Sequence, residues 1–429
     1  MIPSDLIAKK RDGESLSKKE IYWFINSFLN ATISESQMAS LLMTIFYRGM
    51  NSEEISDLVN VMIESGSKLN FPGSENFIAD KHSTGGIGDK TSLILAPILG
   101  ALGLKIPMIA GRALAFTGGT IDKLESIPGF RSAQTIKNLK RLIIKNNCAI
   151  VSQSNEICPA DQKIYKLRDI TATIPSLPLI TSSIMSKKLS EGIEALVLDI
   201  KVGNGAFIKT LKEGKILAKL MRETGNRFNL KTDFIFSSMD QPLGRYAGLA
   251  CEVHESMKTL SGDGPKDLIK LTLKLGSKLL IQSGLVANFD EAINLQKAVI
   301  QNGNALEKFR TMIKAQGGDL DSFRKLNQPK YTSYILAESD GNLTSFNTEK
   351  IGWGLVEMGC GYKYKNTKLD YSSGIEFMKK IGDDITKGET VYRIFNSNKE
   401  KLKVASNLLE KTFKISNKIP AFKLIIHEY

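Results

Sequence analysis

Cysteine, histidine and acidic residues are scarce in this 429-residue chain, and each scarcity excludes something. The four cysteines, Cys148, Cys158, Cys251 and Cys360, stand far apart and form no CxxC pair. That spacing argues against a zinc site and a disulfide framework and fits a reducing cytosol. Asp and Glu number 45 against 58 Lys and Arg, a formal net charge of +13. Such an excess suits small anionic ligands or a solvated lysine-rich surface. Long arginine-rich arms and basic-aromatic strips are missing, so nucleic acid is not an expected partner. No uninterrupted apolar run reaches membrane-spanning length, and the N-terminal "MIPSDLIAKKRDGES" has no apolar signal core. Neither a membrane span nor a secretory leader is therefore expected, and the expected location is the cytoplasm.

What is present divides into three compositions. Residues 1–66 read as a small helical domain, with three amphipathic helices between about Ser17 and Gly66. Ser17 with Glu20, Ser34 with Gln37 and Asn51 with Glu54 have capping-box spacing or close to it. From residue 67 to 330, the short apolar runs "FIAD", "KIPMIAG", "CAIVSQ", "ALVLDIKV" and "FIFSSM" alternate with helical stretches. That alternation predicts a larger α/β domain with a mostly parallel sheet. Residues 331–429 read as a small α+β domain. "YTSYILAESDGNLTSF" is expected to form a hairpin turning at Ser339–Gly341, and "IEFMKKIGDDITKGETVYRIF" two strands joined through Gly382 and Gly388.

Chemistry concentrates in three places. In "FIADKHSTGGIGDKTSLILAPILG", a strand meets a turn holding Gly85, Gly86 and Gly88, and then an apolar helix begins. Backbone amides, the Lys81 charge and the hydroxyls of Ser83 and Ser92 suit an anion, most often phosphate. The competing reading is a tight strand-to-helix turn with no ligand. A second such turn, with Gly111, Gly118, Gly119 and Thr120, follows the next strand and could converge on the same anion. Beyond it, Tyr165 and Arg168 have i,i+3 spacing, and Ser183 and Lys187 have i,i+4 spacing, so each pair shares a helix face. These side chains could hold a planar, oxygen-rich group that gains negative charge; an ordinary charged surface helix is the competing reading. Of the three histidines, His82 lies inside the first turn and is the functional candidate.

Four long motifs, "KHSTGGIGDKTSLILAP", "GRALAFTGGTIDKLESIPGF", "LRDITATIPSLPLITSSIMSKKLSEGIEALVLDIKVGNGAF" and "SMDQPLGRYAGLACEVHES", resemble the thymidine phosphorylase and pyrimidine-nucleoside phosphorylase family. The resemblance implies a homodimer whose helical and α/β domains close on a cleft, with residues 163–193 or so joining the helical domain in space. It implies phosphorolysis of thymidine or uridine, with phosphate as co-substrate and no organic cofactor. Phosphate would be bound by Lys81, Ser83, Ser92 and Thr120, with Ala110 at a fifth phosphate position. Tyr165, Arg168, Ser183 and Lys187 would contact the pyrimidine, His82 would lie near its 2-oxo group, and Leu114 and Phe207 would be apolar walls. His82, Arg168 and Lys187 would be catalytic. A potassium ion, where present, would be held near Gly88, Lys90, Leu243, Tyr246 and Glu255, mostly through carbonyls.

The chain departs from the family in one stretch. It reads "AGRALAFTGGT" where SGRGLGHTGGT is usual, so Ala110 replaces a phosphate-binding serine. Ala113 and Ala115 replace glycines, and Phe116 replaces a histidine. Tyr246 and Leu249 stand in place of alanine and asparagine. One lost hydrogen bond to an anion costs roughly 1.5–3 kcal/mol. Two other readings remain open: a catalytically impaired nucleoside- or phosphate-binding homologue, and a phosphoribosyltransferase on the related fold.

Overall fold

A computed structural model of the chain describes residues 1–71, 76–364 and 367–428. Four helices open it: Pro3–Arg11, Lys18–Leu29, Glu35–Arg48 and Ser52–Glu64. The last three carry the expected capping boxes at Ser17, Ser34 and Asn51. The first helix was not expected, because its apolar pattern is weak. It is held by a buried ion pair, Lys10 Nζ to Glu54 at 2.7 Å, in which Glu54 also accepts from the Leu16 and Asn51 amides. Phe24, Phe28, Met38 and Leu58 pack in one core with Ile164, Leu167 and Leu179. The helix Pro159–Ile170 and the start of Leu177–Ser190 thus sit on the bundle despite their place in mid-chain.

All five anticipated strands of the middle region form. Ala79–Ser83, Ala195–Val202 and Lys231–Ser238 run parallel in that order, and Ile425–Glu428 adds an antiparallel edge. Ile106–Ala110 and Cys148–Ser152 form a parallel pair, linked to the first strand through an Ile78–Lys105 bridge. Ala195–Val202 is buried at every position, as a strand flanked by parallel neighbours and covered on both faces must be. The carboxyl ends of these strands fall on one side, where ligands of open parallel sheets bind.

The C-terminal region differs from expectation. Tyr331–Leu336 and Gly341–Phe346 are not a hairpin, because each belongs to a different sheet. Tyr331–Leu336 pairs with Thr390–Asn396, whereas Gly341–Phe346 pairs with Phe413–Ser416 and Asp384–Ile385. Pairing with residues distant in sequence has overridden the local turn signal. The second stretch contains three strands rather than two, with Gly374–Phe377 and Thr390–Asn396 antiparallel and Asp384–Ile385 in the other sheet. Tyr246–Gly248, from the middle of the chain, joins the first of these sheets beside Gly374–Phe377.

Candidate active site

Lys81 and His82 lie in the second half of strand Ala79–Ser83, and the helix Thr91–Ala101 begins eight residues after Ser83. The Lys81 ammonium is buried and donates to Thr91 Oγ1 at 2.6 Å and Ser92 Oγ at 3.4 Å. Asp89 lies 3.8 Å from both Lys81 and Lys201 and accepts from the Thr91 amide and hydroxyl. Burial alone would raise its pKa, but Lys201 and Lys81 outweigh it and hold the carboxyl well below the usual range. Lys201 pairs in turn with Asp199 at 2.6 Å, and Asp199 accepts from Ser237. Lys81 is therefore a positive group fixed in a charge-balanced buried network, at the N-terminus of a helix whose amides favour anions.

The second turn is tied to the first. Lys123 Nζ donates to the Asp89 carbonyl at 2.7 Å and pairs with Glu252 at 2.6 Å. Lys123 belongs to the short helix Thr120–Leu124, so Thr120 and the Lys81 loop are braced against one another. Asp122 and Glu125 bind Arg112, and Asp122 also accepts from the Ala113 amide and Tyr362, so both acids are structural. Ala110 ends strand Ile106–Ala110. Leu114 is half-buried and bonds Thr117 through the backbone. Phe116 is buried against Phe207, ring centroids 5.4 Å apart, and lies 6.0 Å from Trp353. Ala115 has φ +49°, a left-handed conformation that disfavours any side chain.

A second cationic cluster forms on helices Pro159–Ile170 and Leu177–Ser190. Arg168, 2% exposed, donates to the carbonyls of Leu179 at 2.9 Å and Ile174 at 2.7 Å. Its Nε has no partner among the described residues. Lys187 Nζ is held by Asp161 at 2.5 Å and Ser183 Oγ at 2.8 Å. The Tyr165 ring stands within 5.5 Å of the Arg168 guanidinium and 5.9 Å of Lys187 Nζ. These helices are not ordinary surface helices. His82 feels both clusters: burial first, then the ammonium groups of Lys188, Lys187 and Lys81, hold its pKa well below the usual imidazole value.

The residues proposed for potassium form a real cage, but one that is already filled. Lys90 Nζ donates to the carbonyls of Leu243 at 3.0 Å and Tyr246 at 2.7 Å, and to the Glu255 carboxylate. Gly88 closes the cage from the loop side, since a Cβ there would lie 2.5 Å from the Leu243 carbonyl oxygen. These residues do not fit an additional metal ion, because the charge and the oxygen contacts a cation would take belong to Lys90.

Three domain models match in succession: the helical bundle domain of a glycosyl transferase family at residues 4–66, its a/b domain at 75–306, and the pyrimidine nucleoside phosphorylase C-terminal domain at 342–416. Pyrimidine-nucleoside phosphorylase of Geobacillus stearothermophilus is 43% identical over 415 residues, 96% of each chain. Its counterpart in Staphylococcus epidermidis is 43% identical over 399 residues, 92% of each chain. The chain belongs to the pyrimidine-nucleoside phosphorylase family. Anthranilate phosphoribosyltransferase of Thermus thermophilus shares the fold at a TM-score of 0.57, 15% identity, 72% of this chain and 98% of its own.

Within this phosphorylase fold, several groups that brace the candidate site were not singled out from the sequence. Asp161 holds Lys187, Asp89 lies beside Lys81, and Lys201 and Asp199 in turn fix Asp89. A signal for them existed. Asp199 and Lys201 are charges inside an otherwise apolar strand, where burial demands a partner. Asp161 precedes Tyr165 by four residues and shares its helix face. Among the described residues, no helix is long and apolar enough to cross a membrane.

Proposed function

We propose that the chain catalyses phosphorolysis of pyrimidine (deoxy)nucleosides, converting thymidine or uridine and phosphate to the free base and (deoxy)ribose 1-phosphate. The observation that supports this reading is a pair of fixed cationic groups in a chain of this family: Lys81 at the N-terminus of the helix Thr91–Ala101, and Arg168 with Lys187 on the two-helix cluster. In this reading Lys81, Ser83, Ser92 and Thr120 bind phosphate, with Ala110 contributing only a methyl. Tyr165, Arg168, Ser183 and Lys187 bind the pyrimidine, and Leu114 and Phe207 are apolar walls.

A phosphate oxygen forms its bond to C1′ from one face while the bond from C1′ to the base breaks on the other, with inversion. The electron pair leaves on the ring nitrogen of the base and spreads onto its carbonyl oxygens until a solvent proton neutralises the charge. The free Nε donor of Arg168 and the Lys187 ammonium stabilise that charge. His82, neutral because burial and three ammonium groups disfavour its protonation, donates an N–H hydrogen bond rather than acting as an imidazolium acid. The enzyme is proposed to act as a cytoplasmic homodimer in nucleoside salvage or catabolism; a monomeric mass in active solutions would remove the dimer from this picture.

The test is release of free base from thymidine, deoxyuridine and uridine, with and without phosphate. Phosphate-dependent release is expected, and the three rates rank the substrates. Folded protein that releases no base at high enzyme and phosphate would overturn the reading and favour a binding protein.

A further inference from the structure

We infer that Lys90 is a built-in monovalent cation, which relieves this chain of any need for a free metal ion at the junction between its phosphate loop and its C-terminal sheet. An ammonium has three protons and no acceptor. Here the three find Leu243 O, Tyr246 O and Glu255, and the side chain is 0% exposed. The two carbonyl distances lie in the ordinary N–H···O range of about 2.7–3.2 Å. No volume is left beside the group, since a Cβ on Gly244 would lie 2.8 Å from Nζ and 2.6 Å from Glu255 Oε2.

The surroundings fix the charge state. Burial works against a charged Lys90, but Glu255 and Glu252 outweigh it, so its pKa stands above the ordinary lysine value. Glu255 spends its remaining capacity on the Arg245 amide at 2.8 Å and the Tyr246 amide at 3.2 Å. A second lysine takes neighbouring carbonyls: Lys380 Nζ donates to Gly244 O at 2.8 Å and to Pro242 O, and lies 3.1 Å from Asp267. The carbonyls of residues 242, 243, 244 and 246 thus all accept from lysine. A free cation would meet two ammonium groups and find those oxygens engaged.

Position gives the group its purpose. Lys90 lies between Asp89 and Thr91, both of which contact Lys81, and it reaches across to the strand Tyr246–Gly248 of the C-terminal sheet. It touches no substrate in the proposed reaction and is a positioning residue, acting through the loop that holds Lys81.

The experiment compares potassium, sodium and choline chlorides at matched ionic strength. In the wild-type protein, melting temperature and phosphate KM are expected to be the same in all three. Lys90→Ala vacates the cage; it should melt several degrees lower and raise phosphate KM about ten- to a hundred-fold, as loop misplacement does. Potassium, but not choline, should then recover both in a saturable way. Lys90→Met fills the space without charge and should show no recovery. Saturable stabilisation of the wild type by potassium would overturn the inference. So would a Lys90→Ala protein that is undisturbed, or one that no cation recovers. If Lys90→Ala fails to fold, the wild-type comparison and Lys90→Met still decide. The kinetic arm rests on the proposed phosphorolysis, whereas the melting arm holds for a protein that turns nothing over.

Discussion

Replacing Lys81 by methionine removes a charge while keeping much of the stem's volume, and two effects separate cleanly. The first is on ligand binding. A hydrogen bond to a charged group contributes roughly 1.5–3 kcal/mol, or about 10- to 150-fold in affinity at 1.4 kcal/mol per decade. Phosphate KM should rise by that factor. The second is on stability. Lys81 is one of two lysines 3.8 Å from the buried Asp89. Leaving a buried charge with no partner costs about 3–5 kcal/mol, and Lys201 remains, so the loss should fall below that range. The double variant Lys81→Met/Asp89→Asn removes both charges; its melting temperature should return toward the wild type while phosphate KM stays high. Steady-state kinetics over a phosphate titration and a thermal melt of the three proteins make the assay. A folded Lys81→Met protein whose phosphate KM stays within about twofold of the wild type, well under the hydrogen-bond estimate, would refute the assignment.

Other expectations follow from single features of the site. Ala115→Gly removes a side chain from a left-handed residue and should stabilise the fold by about 1 kcal/mol, read from denaturant melts. Ala110→Ser should lower phosphate KM by about tenfold if its hydroxyl reaches the anion, and an unchanged KM would separate residue 110 from the phosphate. The His82 imidazole should titrate well below about 6.5, the unperturbed value, in an NMR titration assigned with His82→Gln. Its depressed pKa means the unfolded chain binds the proton more readily. Its contribution to stability is therefore complete above the unfolded value and declines as pH falls toward the folded one. A normal midpoint for His82 would contradict its half-buried setting near three ammonium groups.

The sequence was most legible where one signal dominated. Ala195–Val202 announces a covered strand through unbroken apolarity, and the three capping boxes announce helix starts through fixed spacing. Pro3–Arg11 had no such signal, because Leu6, Ile7 and an ion pair from Lys10 to Glu54, not a full apolar stripe, hold it. The Ser339–Gly341 turn was visible, but the partners of its flanking strands are set by tertiary pairing that no local pattern encodes. At the candidate site, the motifs singled out Lys81, Arg168 and Lys187, whose ammonium and guanidinium groups the fold fixes by hydrogen bonds. They did not reveal the ammonium of Lys90 in the carbonyl cage, because a residue type says nothing of where a flexible stem will reach.

The two strands contributed out of chain order have a consequence for how the molecule is assembled. Ile425–Glu428 closes the edge of a sheet begun at Ala79, and Tyr246–Gly248 must wait for Gly374–Phe377. Loops of this length are closed against chain entropy before their contacts reward it, which slows folding. Refolding should therefore leave the Lys231–Ser238 edge open at first, a time when unpaired strands invite association between chains. Light scattering that rises with protein concentration only during early refolding would reveal that window; none at any concentration would deny it.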